Sequence, residues 1–260
     1  MTTAARVERA EAAAGALLAK HETTARAVDL GSYRGRILDF TRDVLGVTVL
    51  TDTQRAHLEA LQRGTRIAAY GANGCGKTFD DAIFACYAIW VEQTLVVATS
   101  AKESQLRDQY MRDIARLFHR ARTLDGELYQ MQLRRPAFPD TGLFCMAAGS
   151  SDNLRSYHAP RIMVQLQEAQ GLPDFAFEAA EMMAVGADDR VTLTGNSTTP
   201  GGAFHKRCEM PTWTAIRFNA EDHINVVTGT VPRTNISVFL SDFQKSGSLK
   251  AWTKFESPTK

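Results

Sequence analysis

The chain has almost no excess charge. Its 30 Lys and Arg against 29 Asp and Glu leave +1 over 260 residues. That balance argues against a broad basic surface that grips nucleic acid non-specifically. Any DNA contact has to come from a local patch or from several assembled copies. Cysteine is scarce and scattered: Cys75, Cys86, Cys145 and Cys208 form no C-x-x-C pair. Neither a zinc site nor a disulfide framework is indicated, and a reducing compartment is the default. Long hydrophobic runs are also missing. The longest, Ala82 to Val91, is too short to span a bilayer. The N-terminus mixes Arg6, Glu8, Arg9 and Glu11 with alanines and lacks a signal-peptide core. The histidines show no metal-ligand spacing, no Ser or Cys nucleophile has partners, and there are no internal repeats.

What is present is an ordinary globular composition, 44% hydrophobic and 23% charged. Its length suits one large α/β domain, alone or with a small appendage. One segment stands out. Gly71-Ala72-Asn73-Gly74-Cys75-Gly76-Lys77-Thr78 fits G-x-x-x-x-G-K-[ST] at every fixed position. Small residues over 71–76 let successive backbone N–H groups converge on β- and γ-phosphates. Lys77 adds a point charge there, and the Thr78 hydroxyl suits Mg²⁺. Arg66 to Tyr70 reads as a buried strand before the loop and Thr78 to Val91 as a helix after it. Phosphates held here would meet the positive end of a helix dipole.

The rest alternates. Thr3 to about Lys20 is alanine-rich and helical in composition, and Ile37 to Leu45 suggests a second helix. Thr51-Asp52 caps a third over Thr53 to Gln62. After the loop come an apolar strand at Thr94–Thr99 and an amphipathic helix at Glu103–Ala121, with Leu106, Tyr110, Ile114 and Leu117 on one face. Strands at Gly142–Ala147, Arg161–Leu166 and Arg190–Thr194 follow, with a helix at Pro173–Met183. Strands alternating with helices predict a mostly parallel sheet flanked by helices on both faces; with the phosphate-loop pattern at 71–78, the expected fold class is a P-loop NTPase (RecA-like, ASCE). The turn Pro200-Gly201-Gly202 marks a boundary. The expected organisation is an N-terminal helical segment at 1–45, an ATPase core at 46–203, and a small lid- or linker-like segment at 204–245. Within the last of these, Thr212–Phe218 and Asn235–Phe239 are strand-like. A fraying tail at 246–260 completes the chain.

Further motifs fit the loop. In P-loop ATPases a second apolar strand ends in Asp-Glu; the aspartate holds the Mg²⁺ sphere and the glutamate polarises the attacking water. Here Gln167-Glu168 ends the strand at 161–166. Glu168 fills the catalytic position, whereas Gln167 brings an uncharged amide where a carboxylate is expected. An amide oxygen still accepts from a metal-bound water, but losing a charged hydrogen bond is worth on the order of 1.5–3 kcal/mol. Weakened Mg²⁺ binding and slow turnover are the expectation, with triphosphate binding intact. Asn196, at the end of the next strand, suits a γ-phosphate sensor, although Gly-Asn is also an ordinary turn. Arg112, Arg116 and Arg120 lie four apart on the long helix with Arg107 and Arg122 near, a solvated face or the lining of a DNA channel or subunit interface. Arg155 precedes the Glu168 strand, where it suits an arginine finger or a plain loop residue. Cys75, within the loop at a helix N-terminus, is expected to be a reactive thiol.

With these pieces in order, the chain resembles the ATPase domain of a tailed-phage terminase large subunit. The matching segments are Leu50–Gln54, Arg66–Thr78, Val96–Ala101, His158–Pro160, Glu168–Pro173, Leu193–Asn196 and His223–Gly229. The resemblance implies an ATP- and Mg²⁺-dependent ring motor that drives double-stranded DNA into a procapsid in the host cytoplasm. Its implied partners are further copies of itself, a portal protein and a small terminase subunit, with no membrane. It makes Gln54 an adenine-reading glutamine, Glu168 the catalytic glutamate, Asn196 part of the coupling motif and Arg155 a finger acting in trans. The family's nuclease has clustered carboxylates, and nothing after residue 230 supplies them, so no DNA cleavage is expected of this chain. Two other classes compete with the motor: a non-hydrolysing, ATP-dependent assembly module, which Gln167 favours, and another nucleic-acid translocase.

Overall fold

The computed structural model describes residues 29–149, 157–196 and 201–230. The expected N-terminal helix at 3–20, Arg155 and its loop, Ser197 to Pro200, the Asn235–Phe239 strand and the tail lie outside them. Eight strands form one sheet in the order β3-β4-β5-β2-β6-β7-β1-β8. They are β1 (Arg66–Gly71), β2 (Leu95–Ser100), β3 (Glu127–Leu128), β4 (Gln132–Arg134), β5 (Gly142–Ala147), β6 (Ile162–Gln167), β7 (Arg190–Gly195) and β8 (Thr214–Phe218). β5, β2, β6, β7, β1 and β8 are mutually parallel. The short β3 and β4, not anticipated from the sequence, add antiparallel at the β5 edge.

Central strands buried on both faces need apolar residues at every position rather than alternate ones. β2 and β6 are buried throughout. Alternation then decides which layer each side chain joins. Val96, Ala98 and Met163 enter a core with α1 (Ile37–Asp43), α2 (Asp52–Arg63), α3 (Lys77–Trp90) and α4 (103–120). Val97, Val164 and Leu166 enter the opposite core with α5 (Asp174–Met183) and α6 (Ala203–Glu209). Gln165 and Gln167 share parity with Met163 and so face α3 and α4. Both are buried.

α2 begins as expected. Thr51 accepts from the Gln54 backbone N–H, and the Gln54 side chain accepts from the Thr51 N–H. α4 carries the expected apolar stripe, with Leu106, Tyr110, Ile114 and Leu117 all buried. Its second turn, Leu106–Tyr110, is π-helical, a local widening found often beside functional sites. β8 pairs in register with β1, Ile67 opposite Thr214 through Gly71 opposite Phe218. The sheet therefore runs past residue 203, the expected end of the core, to Phe218. Beyond it comes α7 (Ile224–Val227), preceded by His223, whose Nε2 would lie 3.2 Å from a β-carbon on Gly74 in the loop after β1.

Candidate nucleotide site

A parallel sheet presents its strand C-termini, and the loops after them, at one edge, where α/β proteins bind ligands. The loop after β1 turns there into α3. Gly71 has φ 125°, and a β-carbon on it would sit 2.0 Å from the Phe218 carbonyl oxygen. The Ala72 N–H donates to that same oxygen at 2.9 Å. Only glycine permits this approach, which ties the loop to β8. Gly76 caps α3 in the left-handed region, against the Gln54 amide.

The loop borders a cavity of about 780 Å³, the size of a small-molecule site. Asn73 to Thr78 form one wall, Glu168 and Asn196 a second, and Gln105, Gln109, Arg112, Asp113 and Arg116 of α4 a third. Gln54 and Ile224 also line it. Of the expected residues, Asn73 to Thr78, Gln54, Glu168 and Asn196 line one space, although Gln54 and Asn196 lie 142 positions apart in the sequence, whereas Gly71, Ala72 and Gln167 are not in that lining. The sequence did not single out α4 as a wall.

Lys77 is buried and folded over its own loop. Its ammonium donates to Ala72 O at 2.5 Å and lies 3.4 Å from both Gly71 O and Asn196 Oδ1. Burial lowers its pKa, against the opposing pull of nearby carboxylates that include Glu168, Asp81 and Asp80. Glu168 follows β6 with φ 50°, a left-handed conformation that costs a non-glycine residue energy and marks sites where the surroundings over-determine the backbone. Its carboxylate accepts from Gln170 Nε2 at 2.8 Å, while Gln170 Oε1 accepts from the Asn196 N–H at 3.0 Å. One glutamine therefore joins the ends of β6 and β7.

Two buried aspartates behind the loop were missed. Asp80 accepts from Gln54 Nε2 at 2.7 Å and faces His57 Nδ1 at 3.2 Å. Burial raises the Asp80 pKa well above the usual range and lowers His57 to about 4, so the imidazole is neutral at physiological pH. Gln54, expected to read adenine, here spends its side chain on Thr51 and Asp80. Asp81 accepts from Gln167 Nε2 at 2.7 Å and, in a short hydrogen bond, from the Thr194 hydroxyl. Gln165 completes this layer, donating to the Asp81 carbonyl at 3.1 Å and accepting from Tyr110 in the π-helical turn.

Cys75 departs from expectation. It is 3% exposed and its thiol donates to the Asn219 carbonyl at 3.2 Å. It packs with Ala69 and Phe218 rather than standing open to reagents.

Among the described residues no group of three or more His, Cys, Asp or Glu is placed to hold a metal ion alone. A divalent ion here would be shared with phosphate oxygens, as Mg²⁺ commonly is. The donors suit that arrangement. Thr78 lines the cavity; Asp81 Oδ1 and Gln167 Oε1, outside that lining, are buried acceptors without a hydrogen-bond partner among the described residues. No helix of the described residues is long and apolar enough to cross a membrane.

No family model and no characterised protein sequence matches the chain. Solved structures do, in fold. The large terminase of a thermophilic bacteriophage matches with a TM-score of 0.53 at 12% identity, over 68% of this chain and 47% of that one. The complex of that terminase with ADP matches with a TM-score of 0.54 at 11% identity, over 68% and 47%. A variant of the Thermus phage P74-26 large terminase ATPase domain matches with a TM-score of 0.54 at 15% identity, over 71% and 87%. The chain thus spans about half the length of the first of these terminases. The terminase resemblance holds at the level of the fold, a mostly parallel sheet flanked by helices.

Proposed function

We propose that the chain is the ATP-hydrolysing motor domain of a viral terminase large subunit that drives double-stranded DNA into procapsids. The observation that carries this reading is the convergence of the phosphate loop, Glu168 and Asn196 on one cavity. In that reading the backbone of Gly71, Ala72, Asn73, Gly74, Cys75 and Gly76 cradles the phosphates, and Lys77 swings from its own loop onto them. Glu168, held by Gln170, polarises the attacking water. Asn196, beside Lys77, senses whether the γ-phosphate is present, and Gln54 borders the nucleotide. Thr78, with Gln167 at the end of β6, would hold Mg²⁺, which would supply positive charge to offset that of the phosphates.

Arg112 and Arg116 add positive charge to the wall opposite the loop. Arg155 is the candidate for a finger supplied by a neighbouring copy in a ring. Portal, small terminase subunit and double-stranded DNA are the partners this reading implies, in the host cytoplasm and without DNA cleavage by this chain. Support comes from the solved terminases of the same fold, one of them an ADP complex and another a complex with ATP-gamma-S.

A second reading, a nucleotide-organised assembly module without turnover, is favoured by the uncharged Gln167. Phosphate release by the purified protein with linear DNA, against Glu168→Gln, separates the two. Release abolished by that change supports the motor; nucleotide binding without release supports the module.

A further inference from the structure

The second motif lacks its aspartate, yet a carboxylate stands beside the substituted residue. Gln167 Nε2 donates to Asp81 Oδ2 at 2.7 Å, and the Thr194 hydroxyl donates to the same oxygen. Asp81 lies three positions after Thr78 on α3, on the same helix face, and helical side chains lean toward the N-terminus. It therefore points back toward the loop end of the helix. Both Asp81 and Gln167 are buried, 0% and 3% exposed. Each keeps one acceptor, Asp81 Oδ1 and Gln167 Oε1, without a hydrogen-bond partner among the described residues. An orphaned acceptor costs free energy unless something completes it, and here two belong to one hydrogen-bonded pair of buried residues.

We infer that the carboxylate of the magnesium sphere has moved from β6 to α3: Asp81 supplies the negative charge, and Gln167 is the amide that holds it in place. This rests on the reading of the site as one for ATP and Mg²⁺. The two donors on Oδ2 fix the Asp81 rotamer, and Thr194 ties that rotamer to the strand leading to Asn196. Water molecules bound to the ion are the donors that Asp81 Oδ1 and Gln167 Oε1 lack. The inference also reverses a simple expectation. Aspartate at 167 alone removes the amide that donates to Asp81 Oδ2, so it takes away the group that holds the Asp81 carboxylate.

Titration of a fluorescent ATP analogue with Mg²⁺ and with EDTA tests this in the wild type, Asp81→Asn, Gln167→Asp and the exchange Asp81→Asn/Gln167→Asp. The affinity in EDTA reads the phosphate loop alone; if the wild type binds no nucleotide there or in Mg²⁺, the ATP reading itself fails. The ratio of the two affinities reads the ion. Loss of a residue holding a metal's sphere costs about 10- to 100-fold in metal affinity. Asp81→Asn is expected to lose the Mg²⁺ enhancement by about tenfold or more, with affinity in EDTA nearly unchanged. The exchange variant, which keeps an amide–carboxylate pair, is expected to regain it. Mn²⁺ binding followed by its paramagnetic resonance, in the presence of nucleotide, is expected to follow the same order. An unchanged Mg²⁺ enhancement in Asp81→Asn overturns the inference. If Asp81→Asn does not fold, the exchange variant decides: wild-type enhancement supports the inference, and none, or no folded protein, overturns it.

Discussion

The Lys77 ammonium donates to the carbonyl of Ala72 at 2.5 Å, within the loop that Lys77 itself completes. The side chain is parked on backbone oxygens, with Asn196 Oδ1 at 3.4 Å, so a triphosphate would displace weak acceptors with charged ones. A charged hydrogen bond is worth about 1.5–3 kcal/mol, or roughly 10- to 150-fold in affinity. Lys77→Ala is expected to weaken ATP binding by that factor without unfolding the chain. Calorimetric titration with ATP checks it; equal affinity in the variant would remove Lys77 from the site.

Glu168 is held in a left-handed conformation and by Gln170. A residue that activates water contributes about 10²- to 10⁴-fold to rate. Glu168→Gln is expected to lose at least about a hundredfold in phosphate release while ATP affinity stays within a few-fold. Gln170→Ala, which frees the carboxylate and cuts the link to the Asn196 N–H, is expected to lower the rate less. A Glu168→Gln variant with full turnover would place the base elsewhere.

Arg112 and Arg116 line the wall facing the loop, and Arg116 already shares its charge with Asp113 at 3.3 Å. Arg112 is the freer to meet a γ-phosphate. Arg112→Ala is expected to weaken binding of a slowly hydrolysed ATP analogue by about tenfold and ADP by much less, with Arg116→Ala smaller on both. Equal losses for the two nucleotides would show a general field rather than a γ-phosphate contact.

His57 gives the pH dependence. Its pKa falls from 6.5 to about 4 through burial, with Lys77 adding to the effect and Asp81 opposing it. The unfolded chain therefore binds the His57 proton first. This group's contribution to stability is present above pH 6.5 and is lost as pH falls toward 4, a loss of about 3 kcal/mol at most. Asp80 and Asp81, whose pKa values burial raises, act in the opposite sense and offset part of it. In the folded protein the His57 ring resonance is expected to stay fixed from pH 8 to 5. Titration near 6.5 would contradict its burial against Asp80.

Much of this site was legible in the sequence for definite reasons. Strands buried on both faces write themselves as unbroken apolar runs, so β1, β2 and β6 stood out, and the glycine pattern at 71–76 encodes backbone geometry directly. Glu168 was found because it follows such a run. Asp81 was not, because nothing local distinguishes a buried aspartate from an exposed one in a helix's first turns; only Gln167 and Thr194, from two other strands, define its role. Arg112 and Arg116 were seen as a stripe, but helical periodicity tells which residues share a face and not what that face meets. β8 was taken for part of an appendage because its partner β1 lies more than a hundred positions earlier. Strand pairing across that separation leaves no local trace.

The central claim is that this cavity turns over ATP in a DNA-driven assembly. Steady-state phosphate release across a protein concentration series, with linear double-stranded DNA present, tests it most directly. The account predicts release per chain that rises with concentration as copies complete one another's sites, and that vanishes in Glu168→Gln. Release no faster than that of the Glu168→Gln variant at every concentration would contradict it.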